Sequence, residues 1–271
     1  MLRLPRARKP EAIGRRRLKA FLDRIAGRFP FATPRILQVG PSDAWTIEQR
    51  LPGRPMSVLL RTLAGAERET AFRNYVAAID AFRAVSLLYH PYGHVLATRP
   101  VRAKDWRAFA RESLAGFLAR NRATITKEIG DPDALFADAA VLLAGALPED
   151  PPKVLVHGDY FPGNVMLGDD LAVSAVLDFG VYTLAGDPTL DLAVACLTLE
   201  LIEECSPADV ALVRGLILAR HGGAIEPALR FYRAYLAFSM ADPANAAPPY
   251  PRLYEWSLAQ LRLLAKGRLP A

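Results

Sequence analysis

The chain has 271 residues, 52% hydrophobic and 23% charged, the balance of a soluble globular protein with room for one large core or two modest lobes. No uncharged apolar run reaches the ~18 residues that span a bilayer. The first residues carry Arg3, Arg6, Arg8 and Lys9 with no apolar signal core behind them, so a cytoplasmic protein with no membrane partner is expected. The net charge of +6 is uneven: residues 1–28 contribute +8 and the rest −2. A solvated basic helix is the plain reading. The run Gly14–Lys19 invites nucleic acid, yet no helix-turn-helix, zinc finger or aromatic RNA platform accompanies it, so nucleic acid is not the expected partner.

In chain order, Leu2–Pro5 reads as the end of a strand, and Glu11–Ala26 has helical periodicity that stops at Gly27. Residues Pro34–Gly40 and Ala44–Leu51 read as two strands around a turn at Gly40–Asp43. Leu51–Met56, rich in Pro and Gly, is a connector and candidate hinge. Helices follow: one long element over Thr62–Ala84, then Trp106–Arg120, then one opened by the cap pair Asp131-Pro132 and running to Leu147. Two apolar arms, Lys153–Gly158 and Asn164–Leu167, flank a polar loop. A turn at Gly168–Asp170 leads into Ala172–Phe179. Asp187-Pro188 and Ser206-Pro207 repeat the cap signature for two more helices. Pro227–Met240 and Arg252–Lys266 close the chain. Cys196 and Cys205 stand nine apart in one helical pattern, ~13 Å along a helix, too far for a disulfide. No four-ligand Cys/His spacing suggests zinc. The sum is an α+β protein of two lobes.

The chemistry concentrates in "VLVHGDYFPGNVML" and the "LDFG" behind it. If Gly168–Leu171 makes the hairpin turn, Asn164 pairs with a residue near Val176, and Asp178, two further on, points to the same face. An amide oxygen and a carboxylate at that spot form a hard-oxygen site suited to Mg²⁺, with phosphate oxygens and water as further ligands. Asp159, five residues upstream, has no basic neighbour in sequence and is expected to ionise freely. Beside a metal-bound phosphate it can orient a substrate hydroxyl and accept its proton.

"HGDYFPGN", then "LDFG", then "GDPTLDLA" resembles the aminoglycoside phosphotransferase and choline kinase family, relatives of the protein kinases. The three blocks fall in order over 37 residues. The resemblance implies a protein-kinase-like two-lobe fold, with a truncated small N-terminal lobe over residues 1–53 and a mainly helical C-terminal lobe over 54–271. It implies ATP as co-substrate and Mg²⁺ as cofactor, and a small hydroxylated acceptor, aminoglycoside-like or choline-like. Asp159 is then the catalytic base, Asn164 and Asp178 hold the metal, and His157 and Asp191 brace the loop. Arg3, on the first strand, is the candidate phosphate contact, and Gln49 and Leu51 would offer backbone groups to adenine.

Two departures stand out. The strand carrying Arg3 begins at residue 2, so the two strands and glycine-rich loop that precede it in the family are missing. Leu18 stands roughly where the family pairs a Glu with the phosphate-contacting cation. A misplaced start or a short form of weak nucleotide affinity would explain this, and a nucleotide-poor binding or scaffold module is the competing expectation. For the acceptor, Glu200, Glu203, Glu204 and Asp209, with Asp242 and Glu255, form an acidic group that would suit a polycation, or else a set of solvated and capping residues. Tyr232, Tyr235, Tyr250, Tyr254 and Trp256 could stack on a ring. The oligomeric state is left open.

Overall fold

The structure, a computed structural model, describes residues 2–3, 13–246 and 251–271, with the backbone alone for 2, 3, 246 and 251. It begins with strand β1 (Leu2–Arg3) and helix α1 (Arg15–Ile25), whose apolar stripe of Phe21, Leu22 and Ile25 is buried. Strands β2 (Ile36–Val39) and β3 (Thr46–Glu48) follow, and the first sheet is antiparallel in the order β1-β3-β2. The basic face is exposed at Arg16 and Arg17, as expected, and is also tethered at two points. The Arg15 backbone N–H bonds to Asp43 Oδ2 at 2.9 Å, and its guanidinium reaches Thr46 Oγ1 at 3.1 Å. Arg17 donates to the Val95 carbonyl at 2.6 Å, and Lys19 pairs with Asp23.

The connector does more than link. Its residues Arg54–Pro55 form β4, which pairs with a strand more than a hundred residues later. Helix α2 (Met56–Leu59) and helix α3 (Gly65–Ile79) follow. The long helix expected over Thr62–Ala84 thus starts later and tightens at its end into a 3₁₀ turn, Asp80–Ala84. Strands β5 (Tyr92–His94) and β6 (Arg102–Ala103) come next, then α4 (Trp106–Glu128) and α5 (Pro132–Ala146). Asp131 Oδ1 accepts from the N–H groups of Asp133 and Ala134, so the cap read from the sequence is formed.

Strands β7 (Val154–Val156), β8 (Val165–Leu167), β9 (Val173–Val176) and β10 (Leu184–Gly186) complete two more sheets. One runs β6-β5-β10-β7 and the other β4-β8-β9. The two apolar arms flanking the polar loop therefore lie in different sheets, and the loop bridges them. The open edge of β9 is covered by Ala32, whose N–H bonds to Ser174 O and whose carbonyl accepts from Val176 N–H.

Four helices finish the chain: α6 (Thr189–Leu197), α7 (Pro207–His221), α8 (Glu226–Met240) and α9 (Pro251–Ala265). Leu190 to Leu197 are all buried, as an all-round apolar helix requires, and α6 packs on α3, α7 and α8. Ser206 and Asp209 form a reciprocal capping box at the start of α7. The cysteines do not share one helix: Cys196 is on α6 and Cys205 lies beyond a 3₁₀ turn at Thr198–Leu201, and both thiols are free. No helix among the described residues is long and apolar enough to cross a membrane.

Candidate active site

The loop from His157 to Asn164 is held from both ends. Asp191, at the start of α6, accepts the backbone N–H of His157 at 2.7 Å and of Gly158 at 2.8 Å. Its side chain is 1% exposed, and burial raises its carboxyl to about 7 against the pull of those two N–H groups. His157 is fully buried. Its Nε2 lies 2.7 Å from the Leu177 carbonyl, and its Nδ1 accepts the Asp159 N–H at 3.2 Å. That pair of bonds fits a neutral ring protonated on Nε2. Burial lowers its pKa to about 4, with the Leu177 carbonyl and Asp178 pulling the other way. One imidazole thus joins the loop bearing Asp159 to the residue just before Asp178.

Gly158 adopts φ +77°, and a Cβ there would sit 2.0 Å from the Tyr182 carbonyl oxygen. Only glycine fits so close an approach with a left-handed backbone. Asp178 is also left-handed, at φ 59°, without glycine's freedom. Such a conformation persists only where the surroundings impose it. Phe179 behind it is buried, its ring 4.7 Å from His157, 6.2 Å from Phe82 and 6.3 Å from Phe21 of α1. Phe82 also contacts Phe29, Phe31 and Tyr160. An aromatic hub therefore locks α1, the loop and the Asp178 turn together.

The hairpin register differs by one from the expected pairing: Val165 faces Val176, and the Asn164 carbonyl accepts the Leu177 N–H at 2.8 Å. The outcome for the site is close to the expected one. Asn164 is buried, and its Nδ2 donates to the Asp159 carbonyl at 2.9 Å and to Asp159 Oδ2 at 3.0 Å. Its Oδ1 is thereby turned away from Asp159. Asp178 is exposed and near enough for its charge to act on both Asp159 and His157. Free ionisation of Asp159 does not hold. Burial first, and the Asp178 charge second, raise its carboxyl to about 7, against the Asn164 bond. The sequence suggested otherwise because Asp178 is 19 residues away along the chain and adjacent only in space. Two carboxylates and one carboxamide thus gather at one corner, the residue types of a hard-oxygen site that fits Mg²⁺. Among the described residues no three His, Cys, Asp or Glu groups could hold a metal by themselves, so such a site needs ligands from a substrate or water.

A family model described as the phosphotransferase enzyme family, APH, matches residues 1–264. The chain belongs to that family. In this phosphotransferase the mixed sheets and helices form the kinase-like α+β fold of its structural neighbours. One is a thermostable mutant of aminoglycoside phosphotransferase APH(4)-Ia in ternary complex with ADP and hygromycin B. It is 19% identical, with a TM-score of 0.70 over 96% of this chain and 84% of that one. Another is macrolide 2'-phosphotransferase MphH from Brachybacterium faecium, 20% identical, TM-score 0.57, covering 95% and 83%. A third is a putative aminoglycoside phosphotransferase from Ralstonia eutropha JMP134, 16% identical, TM-score 0.63, covering 92% and 82%. No curated protein matches the chain.

The other expected site residues of the phosphotransferase divide. Arg3 lies on β1 opposite Thr46, but its side chain is outside the described residues, as is Tyr250. The Gln49 N–H is taken by the Arg35 carbonyl at 2.9 Å, so it has no donor left for adenine; its carbonyl and the Leu51 backbone remain. The acidic group of the helical lobe is largely engaged. Glu200 accepts from Arg233 at 2.7 and 3.0 Å and from Trp256 Nε1 at 2.7 Å. Glu204 pairs with Arg61 at 2.8 Å. Asp209 takes both Arg68 nitrogens and caps α7. Asp242 accepts the Ala244 N–H, while Glu203 and Glu255 are exposed. Tyr232 and Tyr235 are buried; the Tyr232 hydroxyl accepts from Trp106 Nε1 and donates to Asp187 Oδ2, each at 2.8 Å. Sequence reasoning did not single out Tyr182, four residues past Asp178, an exposed residue whose backbone lies against Gly158 of the loop.

Proposed function

We propose that this protein transfers the γ-phosphoryl group of ATP to a hydroxyl of a small molecule. The observation that carries the reading is the corner just described: Asn164 bonded to Asp159 through its amide nitrogen, with Asp178 close enough to raise the Asp159 pKa. Residues 1–53 would serve the nucleotide, with Arg3, Gln49 and Leu51 as its contacts, and residues 54–271 the acceptor and the chemistry. The ADP and hygromycin B bound to one neighbour, and the macrolide acceptor in the name of another, support ATP as donor and a hydroxylated acceptor.

In this mechanism Asp159 accepts the proton of the acceptor hydroxyl as its oxygen attacks the γ-phosphorus, and ADP departs. A pKa near 7 suits that task, since the base is then poised close to working pH. Asn164 Oδ1 and Asp178 would hold Mg²⁺, which when bound neutralises phosphate charge. Asn164 also orients the base through its two bonds to Asp159. His157 and Asp191 keep the loop in place and touch no substrate.

The test is ADP release with Mg·ATP and a panel of hydroxylated acceptors. Asp159→Asn should lower turnover by about 10²–10⁴-fold, the usual contribution of a general base. Undiminished turnover in that variant would overturn the assignment, and a wild type that binds no Mg·ATP would instead mark a binding module.

A further inference from the structure

The loop that carries Asp159 is braced on its upstream side by Asp191, which takes the N–H groups of His157 and Gly158. A second brace grips it one residue downstream of Asp159. Tyr75 of α3 and Tyr160 are fully buried, and their rings stack with centroids 4.8 Å apart and planes 21° apart. Each hydroxyl donates to the other residue's carbonyl: Tyr75 Oη to the Tyr160 oxygen at 3.1 Å, and Tyr160 Oη to the Tyr75 oxygen at 2.9 Å. The Tyr75 hydroxyl also lies 3.3 Å from the Ala195 carbonyl of α6, the helix that bears Asp191. Burial raises both phenols well above their usual pKa, so both remain donors over the whole working range of pH.

This clasp completes the fixing of the backbone around Asp159. Three successive carbonyls each accept a donor: that of Asp159 from Asn164 Nδ2 at 2.9 Å, that of Tyr160 from Tyr75, and that of Phe161 from the Asn164 N–H at 2.8 Å. The two Asn164 bonds are internal to the loop. They hold its shape and would travel with it if it moved. Asp191 and Tyr75 instead tie it to helices outside, one before Asp159 and one after. The Tyr160 ring also stands T-shaped to Phe82 and His157, so the clasp joins the aromatic hub. A general base works only when its carboxylate points at the attacking hydroxyl, and a displacement of about 1 Å can cost on the order of 10²-fold in rate. Tyr75 grips the neighbour of Asp159 and not its carboxylate, so its effect is on aim.

We propose that Tyr75 is a positioning residue for the transfer reaction: through its clasp on Tyr160 it sets the direction of the Asp159 carboxylate. The proposal rests on the phosphotransferase reading above and deepens it. Tyr75→Phe removes one oxygen and keeps the stacked ring. The first measurement is the titration of Asp159 in the full chain by carbon NMR of labelled carboxyls, its signal assigned by its absence in Asp159→Asn. The wild-type group is expected to titrate at about 7. In Tyr75→Phe a carboxylate free to swing out of its buried site should titrate lower by about one pH unit or more, a tenfold change in ionisation. The second measurement is ADP release with Mg·ATP and hygromycin B, choline or myo-inositol as acceptor. Tyr75→Phe should lower kcat by about tenfold or more with KM within about twofold, and should cost no further factor in an Asp159→Asn background. If Tyr75→Phe does not fold, Tyr160→Phe breaks the other half of the clasp and should move the titration in the same direction. A variant that melts lower but keeps the wild-type titration of Asp159 would overturn the proposal, as its role would be structural only. So would an equal loss of kcat with and without the Asp159 carboxylate. The titration needs no turnover, so it decides the proposal even where the wild type binds no Mg·ATP, the separate result that removes the phosphotransferase reading itself.

Discussion

Asp159 is a carboxylate kept where its charge is unwelcome, and this has a consequence for stability. Its folded pKa of about 7 lies above the value of 3.8 it would have when unfolded. Below about pH 4 both states are protonated and nothing is lost. As pH rises from there towards 7, the unfolded chain binds fewer protons than the folded one, so stability falls, and above pH 7 the full penalty stands. Asp191 acts with the same sign over the same window. His157 opposes them: its pKa, lowered to about 4, makes stability fall as pH drops from 6.5 towards 4. Asp159→Asn should therefore melt higher than the wild type at pH 8, by roughly 2–6 °C for a gain of about 1–2 kcal/mol, with the difference vanishing at pH 4. Thermal melts of both proteins across pH 4–8 verify this. A variant that melts lower than the wild type at pH 8 would contradict the strained-carboxylate account. The proximity of Asp159, Asn164 and Asp178 was legible because a hairpin of period two brings fixed positions together. The raised pKa was not, since sequence spacing carries no information on which charges meet in space.

The elements behave as their local chemistry dictates where that chemistry is self-contained. Asp131-Pro132 and Ser206-Pro207 cap the helices they announce, since a cap needs only its own next three residues. The strands β5, β6 and β10 were missed because each has two or three residues and gains its hydrogen bonds from partners far along the chain. Likewise nothing in "LPGRPM" foretells that Arg54 and Pro55 will pair with Leu167 and Met166. The engagement of Glu204 in the acidic group was hidden for the same reason: its arginine partner is 143 residues away. Arg68 is the most connected of the arginines that meet this group, tying α3 to α7 through Asp209 and to the carbonyls of Leu60, Leu63 and Glu204. Arg68→Ala leaves the buried Asp209 carboxylate without its cation and should cost about 3 kcal/mol, a fall of roughly 6–12 °C in melting temperature. A calorimetric scan measures this, and a change under 2 °C would show the pair to be incidental. Gly158→Ala presses a methyl group on the Tyr182 backbone at a left-handed residue. It should cost about 2 kcal/mol or more and lower turnover, because the loop must shift to relieve it. Wild-type turnover in a stable Gly158→Ala protein would show that the loop geometry is not required.

At the scale of the whole molecule, the polar loop is suspended between two separate sheets, braced from behind by α6 and from above by the aromatic hub that reaches α1. Few side chains are free to move there: His157, Tyr160 and Phe179 are buried, and Asp191 holds two backbone N–H groups. Preorganisation of this kind suits phosphoryl transfer, where catalysis is mainly positioning and charge neutralisation. The most direct measurement is the Mg·ATP-induced shift in melting temperature for the wild type, Asp159→Asn, Asn164→Ala and Asp178→Ala. Ligand at about 100 times its Kd stabilises by about 2.7 kcal/mol, a rise of roughly 5–10 °C. The expected result is that rise in the wild type, its retention in Asp159→Asn, its reduction in Asn164→Ala and its loss in Asp178→Ala. No shift in the wild type, or an undiminished one in Asp178→Ala, would contradict the assignment of this corner to the metal and the nucleotide.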